Sequence, residues 1–438
     1  MLNRLRLLLV CLPLAVACSI SSVAVAARVT VPADSGSGGI NAVSQRDAPV
    51  LLLISLDGFR WDYLGHYPAP ALERLAAGGV RAQSLQPVYP TLTFPNHYSL
   101  ATGMYPAEHG IVANDFPGAD GTSWYHYKKR ASVQDGRWYR GEPIWVAAER
   151  AGLVSAAFFF VGSEAPVGGI LPTHWRAYDV DVPAAARIDQ ALAWLALPLT
   201  ERPHLVALYF EDVDVASHRY GPGSPESIAA IRDVDGHIGQ LLAGLDELPV
   251  RDEVYVVVVS DHGQSRYAAD SEPLVLSDFL DLADVTVVDA GTFAYLYLPR
   301  DDAARAADIV HRVNARWQHG RALLPGKAPA GWHLAPLPRI GDVIVQADPG
   351  HAVLSSRDKL SRLNRGAHGW APEFRDMHGI FIARGPGLPA GVLVDTVEAV
   401  EVYPLLLDIL GLPDRRRQRH PSRLAPLLSG DAHTAQQQ

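Results

Sequence analysis

Residues 49–58 read PVLLLISLDG, an apolar run that stops at Asp57 and Gly58. A strand with one face in water alternates apolar and polar residues, whereas an uninterrupted apolar run is typical of a strand that is buried on both faces. Such strands lie inside parallel sheets that helices cover. The stretch therefore predicts a strand of a parallel sheet, with Asp57 at its carboxyl end.

Three later stretches have the same character, and helix signals separate them. Residues 153–161, 205–210 and 254–259 are apolar runs. Residues 70–77 have a helical pattern, and a second helix is predicted to begin after Ser224, whose side chain suits a helix cap. Strands that alternate with helices in this way predict an α/β fold, with a largely parallel, doubly wound sheet and helices on both of its faces.

Acidic residues follow three of these strands. Asp57, Asp214 and Asp261 each come just after a predicted carboxyl end, which is where ligands bind in sheets of this kind. His218 lies four residues after Asp214, so one helical turn would bring both side chains to a single ion, and His262 is adjacent to Asp261. The spacing predicts a metal site at this edge of the sheet.

A candidate nucleophile lies in the stretch PTLTFPNHYSLATGMYPAEHGIVAN, residues 90–114. Thr93 stands directly before Phe94 and Pro95, where a helix is expected to begin because proline is favoured in the first helical turn. Free backbone N–H groups and the helix dipole would favour a phosphate there. A threonine hydroxyl needs a base or a metal to become a good nucleophile, and no Ser-His-Asp arrangement surrounds Thr93. Alone, Thr93 would be an ordinary helix cap, but beside a metal site it is a candidate nucleophile.

A third histidine completes the predicted site. His368 lies in a Gly-Ala-His-Gly segment, whereas the rival His378 precedes a buried strand and lacks that glycine pattern. Three aspartates, three histidines and a threonine oxygen suit zinc, with manganese as the alternative. The remaining histidines that we considered are interpreted as structural or exposed: His97, His109, His174 and His237.

The start of the chain predicts export. In residues 1–26, Arg4 and Arg6 precede an apolar stretch, and residues 24–26 read Ala-Val-Ala, a cleavage site of a secretory signal. We expect secretion across the inner membrane into the periplasm, with lipoprotein anchoring at Cys18 as the alternative. The apolar stretch is too short for a stable transmembrane anchor, and no later run is long enough to span a bilayer.

The remaining boundaries follow from composition. Residues 27–48 are rich in serine and glycine and predict a flexible lead-in. Residues 49–412 are expected to form one catalytic domain. The alternation of strands and helices breaks within residues 266–366, which predicts an inserted smaller subdomain, and the main sheet is expected to resume at 379–383. Residues 413–438 predict a polar tail.

Charge and cysteine content limit the possible partners. The formal net charge is −9, and signal removal would take away two arginines and no acidic residue, which makes it −11. An acidic protein is a poor candidate for a stable complex with nucleic acid. Both cysteines, Cys11 and Cys18, lie in the predicted signal. The mature chain would then have no disulfide and no thiol, which disfavours a sulfatase that depends on a modified cysteine.

Five motifs resemble those of the nucleotide pyrophosphatase/phosphodiesterase family of the alkaline phosphatase superfamily. They are SLDGFRWDYL (residues 55–64), PTLTFPNHYSLATGMYPAEHGIVAN (90–114), YFEDVDVASHRYGP (209–222), VVSDHG (258–263) and GAHGW (366–370). The resemblance implies an alkaline phosphatase-like fold and two zinc ions in each chain.

The resemblance also implies roles for individual residues. One zinc ion would be held by Asp57, Thr93, Asp261 and His262, and the other by Asp214, His218 and His368. Asn114 matches the asparagine that donates to a phosphoryl oxygen. The sequence departs from the family pattern at Leu92, where many members have lysine, at Gln264, where they have methionine, and at residues 370–372. Because none of these is a ligand, the departures bear on substrate preference.

Aromatic residues suggest what the substrate carries. Phe94 lies next to the candidate nucleophile, where its ring would stack on a base, and Tyr178 matches the family position for a facing ring. Tyr209 is a third candidate, although its place on a buried strand fits a core residue equally well. Stacking on such rings is tolerant of base identity. We therefore expect small nucleotide diesters or dinucleotides as substrates.

The resulting hypothesis is an enzyme that hydrolyses phosphodiester or phosphoanhydride bonds to nucleoside 5′-monophosphates. Thr93 would be the nucleophile and a phosphothreonine intermediate would form, with two metal ions stabilising charge. The alternatives on the same metal pair are a phosphomonoesterase, a phosphonate hydrolase and a lipid head-group phosphodiesterase. The non-enzyme alternative is a periplasmic metal-binding protein, although structural zinc sites are usually closed by cysteine and histidine.

Overall fold

The computed structural model describes residues 39–299, 302–335, 337–413 and 422–428. The predicted signal, the lead-in up to residue 38 and most of the predicted tail lie outside these residues. Within the described ranges, no helix combines the length and the apolar character needed to cross a bilayer.

The described residues form ten α-helices and eighteen strands, joined by turns and short 3₁₀ segments. The helices are α1 (Pro70–Ala77), α2 (Thr93–Thr102), α3 (Pro106–His109), α4 (Arg130–Val133), α5 (Ile144–Arg150), α6 (Ala184–Leu195), α7 (Asp212–Tyr220), α8 (Pro225–Asp246), α9 (Ala303–Arg316) and α10 (Val402–Ile409). The strands are β1 (Val50–Leu56), β2 (Val80–Ala82), β3 (Leu85–Gln86), β4 (Asp115–Pro117), β5 (Trp124–His126), β6 (Ser155–Phe158), β7 (His174–Arg176), β8 (Leu205–Phe210), β9 (Val254–Val259), β10 (Leu274–Val275), β11 (Thr286–Asp289), β12 (Phe293–Tyr297), β13 (Gly320–Leu323), β14 (Val343–Ala347), β15 (Val353–Leu354), β16 (Phe381–Arg384), β17 (Val392–Val394) and β18 (Val397–Glu398).

The central sheet has eight strands in the order β17-β2-β16-β9-β1-β8-β6-β7. Strand β1 lies between β8 and β9 and is parallel to both, with Leu56 opposite Phe210 and Ser55 opposite Val259. Only β16 runs against its neighbours in this sheet as the structure describes it. All seven residues of β1 are buried and six of them are apolar, as its sequence predicts. The largely parallel sheet is therefore confirmed.

Helices cover both faces of this sheet. On one face, Leu51 and Leu53 of β1 pack in a core with Leu100 of α2, Trp145 of α5 and Leu406 of α10. Because side chains alternate along a strand, the residues between them point to the other face. There, α1, α6 and α7 all pack against the long helix α8. The two layers confirm the predicted α/β class.

The long helix α8 begins where the sequence predicts. Ser224 is its N-cap, and its side-chain oxygen accepts a hydrogen bond from the backbone N–H of Ser227, while Pro225 occupies the first helical turn. Both features satisfy or remove N–H groups that have no partner inside the helix. Local sequence signals are therefore sufficient to place this boundary.

A second sheet lies within the predicted insertion. It has four antiparallel strands in the order β11-β12-β14-β13. Helix α9 packs on it through Ile309 and Val313, which share a core with Leu296 of β12 and Val345 of β14. The predicted insertion thus has its own sheet and its own core. After it, β16 joins the central sheet beside β9.

Two boundaries differ from the sequence analysis. Strand β6 is shorter than the predicted run 153–161, because Phe159 has a φ of 68° and cannot continue a strand.

The other difference lies in the predicted lead-in, where Asn41 is hydrogen-bonded to the domain. The side chain of Asn41 donates to the carbonyl oxygens of Leu199 and Arg202 at 3.1 and 2.8 Å, and accepts from the N–H of Val154 at 2.7 Å. Asn41, within the predicted lead-in, is therefore bonded to the domain.

Candidate active site

The candidate site lies at the carboxyl ends of β1, β8 and β9. Their parallel register brings Asp57, Asp261 and the first turn of α7, which carries Asp214, to one edge of the sheet. The structure brings the predicted metal ligands together in groups whose ligand atoms lie within 4.8 Å of one another. One group is Asp214, His218 and His368, a second is Asp57, Asp214 and His262, and a third is Asp57, His97 and Asp261.

Gly58 allows the carboxyl end of β1 to pack closely against helix α7. Its φ is +68°, and a Cβ atom at this position would lie only 2.9 Å from Cα of Asp214. Its backbone N–H also donates to Oδ1 of Asp261 at 3.2 Å. Glycine is therefore required both by its own conformation and by the close approach of α7. This explains why the motif at the end of β1 is Asp-Gly.

The three predicted histidine ligands share one orientation. In His218, His262 and His368, Nδ1 lies 2.9, 3.0 and 2.8 Å from a backbone carbonyl oxygen. A carbonyl accepts only, so Nδ1 carries the proton and Nε2 keeps its lone pair. Nε2 of His262 lies 3.1 Å from the Asp261 carboxylate, and Nε2 of His368 lies 3.8 Å from that of Asp214. The lone pairs thus point toward the carboxylates.

Burial controls the charges in the site. It raises the pKa of Asp57 well above its ordinary value, and the carboxylate of Asp261 raises it further. Burial also raises the pKa of Asp261. In contrast, burial lowers the pKa of His262 well below its ordinary value and that of His368 to about 4. Both imidazoles are therefore neutral at neutral pH.

These side chains fit metal cations. The oxygens Oδ1 of Asp57 and Oδ2 of Asp261 are buried and accept no hydrogen bond from the described residues. Buried carboxylate oxygens without partners are costly unless a positive charge compensates them. Neutral imidazoles supply the additional donor atoms, and the described part of the cluster has no thiolate. Carboxylate and imidazole donors together suit a divalent metal such as zinc.

Thr93 opens helix α2, one residue earlier than its sequence suggests, and its Oγ1 lies 3.3 Å from Nε2 of His262. The loop before it is held by a residue that the sequence analysis missed. Asn96 donates to the carbonyl oxygens of Pro90 and Leu92, both at 2.9 Å, and accepts from the N–H of Val88 at 2.7 Å. One amide side chain thus fixes the backbone that presents Thr93.

The same loop positions the third histidine. Nδ1 of His368 bonds to the carbonyl oxygen of Thr91, whose hydroxyl accepts from the N–H of Gly369 and donates to the carbonyl oxygen of Trp370, each at 2.8 Å. The rival His378 has both ring nitrogens engaged, with the hydroxyl of Ser84 at 2.9 Å and a backbone carbonyl at 3.0 Å. The structure therefore brings His368, and not His378, into the cluster.

The other histidines lie outside the predicted ligand set. His97 is buried, its ring nitrogens bond to the hydroxyl of Ser55 and the carbonyl oxygen of Thr93, and Nδ1 is 3.2 Å from Oδ2 of Asp261. We interpret His97 as a residue that positions Thr93 and lies close to Asp261. His109 is buried against Ser99. His174 and His237 are partly buried and do not line the cavity.

Gln264 is a second residue whose role the sequence did not indicate. The Gln264 amide nitrogen donates to the side-chain carboxylate of Asp214. It also donates to the backbone carbonyl oxygen of Asp214, at 3.2 Å. A Cβ atom on Gly366 would lie 3.0 Å from the Gln264 amide oxygen and 2.3 Å from the carbonyl oxygen of Ser217. The glutamine and the glycine together fix Asp214 and the segment that carries His368.

A cavity of about 1130 Å³ opens above these side chains. Asn114 lines it, and its amide oxygen accepts from the N–H of Phe94 at 3.1 Å, so its amide nitrogen remains available for a ligand. Phe94 and Tyr178 also line the cavity. Phe94 makes edge contacts with Tyr125 and Tyr127, and the Tyr178 ring is 41% exposed. Both rings have surface available to a planar ligand.

Tyr209 also lines the cavity but is less exposed than these two rings. It is buried, and its hydroxyl donates to Oδ2 of Asp57 at 2.6 Å. Its ring meets that of His97 edge-on at 5.1 Å. A ring held in this way positions a predicted metal ligand, and the role of Tyr209 in substrate binding stays a prediction.

A buried ion pair between Arg187 and Glu211 contacts Tyr178 and Tyr209 beside the cavity. The Arg187 side chain, 3% exposed, donates to both carboxylate oxygens of Glu211 at 2.6 and 2.8 Å and to the carbonyl oxygen of Tyr209 at 2.9 Å. Glu211 in turn accepts from the Tyr178 hydroxyl at 3.4 Å. The Arg187 guanidinium also lies 4.9 Å from the ring of Phe159. The local sequence around either residue does not indicate this pair.

We expect Arg187→Met to be strongly destabilising. The substitution leaves the Glu211 carboxylate buried without its partner, which typically costs ~3–5 kcal/mol of unfolding free energy. Arg357→Met is the matched control, because Arg357 pairs with Asp278 on the surface with its side chain 71% exposed, and exposed pairs contribute ~0–1 kcal/mol. Urea unfolding of both variants measures the difference. Equal losses would contradict the importance of the buried pair.

Comparison with known proteins agrees with this geometry. A family model described as type I phosphodiesterase / nucleotide pyrophosphatase matches residues 51–371. Human ectonucleotide pyrophosphatase/phosphodiesterase family member 1 is 35% identical over 398 residues, which cover 89% of this chain and 43% of the relative. The venom phosphodiesterase CdcPDE of Crotalus durissus collilineatus is 32% identical over 383 residues, which cover 86% of this chain and 46% of the relative. The chain thus spans less than half the length of these curated relatives.

Solved structures share the fold. Murine ectonucleotide pyrophosphatase/phosphodiesterase 5, as an inactive variant with a threonine replaced by alanine and in complex with AMP, has a TM-score of 0.78 and 27% identity, covering 84% of this chain and 96% of that chain. The human protein of the same name has a TM-score of 0.80 and 27% identity, with 87% and 99% covered. The predicted alkaline phosphatase-like fold is confirmed, and the chain belongs to the type I phosphodiesterase / nucleotide pyrophosphatase family of the alkaline phosphatase superfamily.

Proposed function

We propose that this protein is a two-zinc nucleotide pyrophosphatase/phosphodiesterase that releases nucleoside 5′-monophosphates. The observation that carries the proposal is the position of the Thr93 hydroxyl, which lies beside the carboxylate and histidine cluster at the floor of an aromatic-lined cavity. A structural metal site has no need of such a hydroxyl or of an open cavity. Export into the periplasm is part of the proposal and rests on the sequence of residues 1–26.

Seven side chains would hold the metal ions. We assign one ion to Asp57, Thr93, Asp261 and His262, and the other to Asp214, His218 and His368. When bound, the two zinc ions stabilise negative charge on the threonine oxygen, the phosphoryl oxygens and the leaving group. Manganese is the alternative metal.

Thr93 performs the first displacement in this proposal. Its hydroxyl loses a proton to water, the oxygen forms a bond to phosphorus, and the bond to the leaving group breaks in line with it. The product is a nucleotide esterified to Thr93. A water molecule then attacks the same phosphorus, the bond to Thr93 breaks, and the threonine oxygen regains a proton. Asn114 donates to a phosphoryl oxygen throughout, a contact whose loss typically costs ~3 kcal/mol.

The relatives support a nucleotide substrate. The human relative is named as an ectonucleotide pyrophosphatase/phosphodiesterase, and the murine structure holds AMP. In this chain, Phe94 and Tyr178 line the cavity that contains Thr93. A base held against such rings gains roughly 1–3 kcal/mol for each stacking partner.

A direct comparison of substrates tests the proposed function. The metal-loaded protein should hydrolyse a nucleotide diester with a higher kcat/KM than either a lysophospholipid-type diester or an aryl phosphomonoester. Chelation should abolish turnover while the circular dichroism spectrum keeps its folded form, and added zinc should restore turnover. A preference for the monoester or the lipid-type diester would replace this proposal by one of its alternatives. No turnover of any ester would favour a metal-binding protein.

We expect Phe94→Ala and Tyr178→Ala to weaken nucleotide substrates selectively. Losing one stacking partner should lower kcat/KM for a nucleotide diester by about tenfold, because ~1.4 kcal/mol corresponds to that factor. A plain aryl phosphodiester, which has no base, should lose much less. Steady-state kinetics on both substrates measures the ratio. Trp124→Ala is the control, since Trp124 is a partly buried aromatic that does not line the cavity. Equal losses on both substrates would contradict base stacking.

A further inference from the structure

The cavity has a basic wall that the proposed chemistry does not use. It is formed by residues 355–366, which follow β15 and contain a 3₁₀ turn at Arg357–Arg362, and by the end of helix α7. Arg219, Arg362 and Arg365 all line the cavity from this side. In a chain whose net charge is −9, three cations along one wall point to an anionic ligand.

Hydrogen bonds place this wall beside the group Asp214, His218 and His368. The N–H groups of Arg365 and Gly366 donate to the carbonyl oxygen of His218 at 3.0 and 3.3 Å. Nδ1 of His218 donates to the carbonyl oxygen of Gly366, and the side chain of Asn364 lies 3.2 Å from the same nitrogen. The arginine backbone is thus tied directly to the residue that we assign to the second zinc ion.

Within the described residues, no carboxylate forms a close ion pair with these arginines, although Arg362, after the Ser356 hydroxyl, helps to lower the pKa of the Asp358 carboxyl. Arg219, Arg362 and Arg365 make no ion pair with a carboxylate in the described ranges. The carboxylates that line the cavity have other partners or belong to the predicted metal groups. Asp289 pairs with Lys359 at 2.6 Å, Glu211 with Arg187, Asp115 with His126 at 2.9 Å, and Glu164 accepts from the N–H of Tyr178 at 2.7 Å.

The basic wall continues into a smaller neighbouring cavity of about 340 Å³. Arg365 lines both cavities, and the smaller one adds Arg266. The guanidinium of Arg266 donates to the carbonyl oxygen of Pro222 at 3.0 and 2.7 Å, so its charge is not paired with a carboxylate. The basic residues that line the two cavities are therefore connected through Arg365.

The geometry of in-line displacement indicates on which side of phosphorus the leaving group lies. The leaving group departs on the side of phosphorus opposite to the attacking Thr93 oxygen. Thr93 lies next to His262, whereas the basic wall is bonded to His218 in the other metal group. In the proposed two-metal arrangement, the leaving group would therefore depart toward the arginines.

We propose that Arg219, Arg362 and Arg365 form a subsite for the phosphates of the leaving group. The ligand class is a polyphosphate chain attached beyond the scissile bond, as in a nucleoside triphosphate or a dinucleoside polyphosphate. Guanidinium groups suit this ligand because they remain charged and form paired hydrogen bonds with phosphate oxygens. The inference rests on the proposed function and adds to it the residues that select phosphoanhydride substrates over simple esters.

Two substrates with the same nucleotide half test the subsite. ATP has pyrophosphate as its leaving group, whereas the 4-nitrophenyl ester of AMP has nitrophenolate. In the double variant Arg362→Ala/Arg365→Ala, the ratio of kcat/KM for ATP to that for the ester should fall at least tenfold. A dinucleoside tetraphosphate should behave like ATP. Arg357→Ala is the matched control, because Arg357 lies in the same 3₁₀ turn but pairs with Asp278 and does not line the cavity. A ratio that changes less than twofold would overturn the proposal.

A binding measurement separates this subsite from the proposed catalysis. Calorimetric titration of the zinc-loaded protein with inorganic pyrophosphate should give a Kd at least tenfold higher in the double variant than in the wild type or in Arg357→Ala. Equal Kd values would overturn the subsite even if the enzyme hydrolyses nucleotides. If the double variant binds pyrophosphate at least tenfold more weakly than the wild type, but the wild type hydrolyses neither substrate, the subsite is supported and the proposed function is contradicted.

Discussion

Replacing Thr93 by alanine should lower kcat by several orders of magnitude while the protein keeps its fold and at least one metal ion. The variant lacks the oxygen that attacks phosphorus, but the buried carboxylates and histidines beside it are unchanged. Turnover of a nucleotide diester, circular dichroism and metal content together measure this outcome. A variant that retains more than about a tenth of the wild-type kcat, a difference of only ~1.4 kcal/mol, would show that water attacks phosphorus directly.

Thr93→Ser is the matched control for this experiment. Serine keeps a hydroxyl at the first position of α2 and loses only a methyl group. It should therefore retain far more activity than the alanine variant. If serine and alanine are equally inactive, the methyl group matters and the hydroxyl is not the decisive atom.

The second large effect is expected for His368→Ala. This substitution removes one of the three side chains assigned to the second zinc ion, so the protein should bind close to one zinc equivalent and lose most of its turnover. Because we place this metal group on the leaving-group side, where it would also assist the hydrolytic step, the nucleotide ester of Thr93 should accumulate. Metal analysis and mass spectrometry of the acid-quenched protein measure both results.

His378→Ala is the control for this assignment. His378 is also buried, but its ring nitrogens bond to the hydroxyl of Ser84 and to a backbone carbonyl. The control should therefore keep two zinc equivalents, although it will lose some stability with these hydrogen bonds. If His378→Ala is inactive while His368→Ala is active, the third histidine ligand is His378 and not His368.

Local sequence was sufficient to predict the frame of the site. A strand that is buried on both faces can be recognised from its sequence, because every residue of β1 except Ser55 is apolar and the run stops at Asp57. Parallel strands then place Asp57 and Asp261 at one edge without any knowledge of side-chain contacts. The spacing of Asp214 and His218 reflects one helical turn, and the structure does place both on α7.

The supporting contacts could not be predicted in this way. Arg187 lies on α6 and meets Glu211 only after β8 and α6 have packed together. Gln264 reaches Asp214 across the turn that follows β9. Tyr209 looks like any core residue in sequence, and its hydroxyl finds Asp57 only because β1 and β8 are adjacent. Such pairs depend on the register between elements, which composition and periodicity do not contain.

The position of the basic wall could not be predicted from local sequence either. Arg362 and Arg365 lie far along the chain from Thr93, and the sequence places them only within a predicted insertion. Their position beside His218 results from how the chain returns from the second sheet, through the hydrogen bonds of residues 365 and 366. The sequence therefore indicates the chemistry of the site, whereas the fold determines which charges surround it.

The stereochemical course at phosphorus tests the central claim most directly. The substrate is a single diastereomer of a nucleotide 4-nitrophenyl phosphorothioate, hydrolysed by the zinc-loaded enzyme in water enriched in ¹⁸O. Each in-line displacement inverts phosphorus, so attack by Thr93 followed by attack of water predicts overall retention of configuration in the nucleoside phosphorothioate. A product with inverted configuration would mean a single displacement by water, and it would contradict Thr93 as the nucleophile.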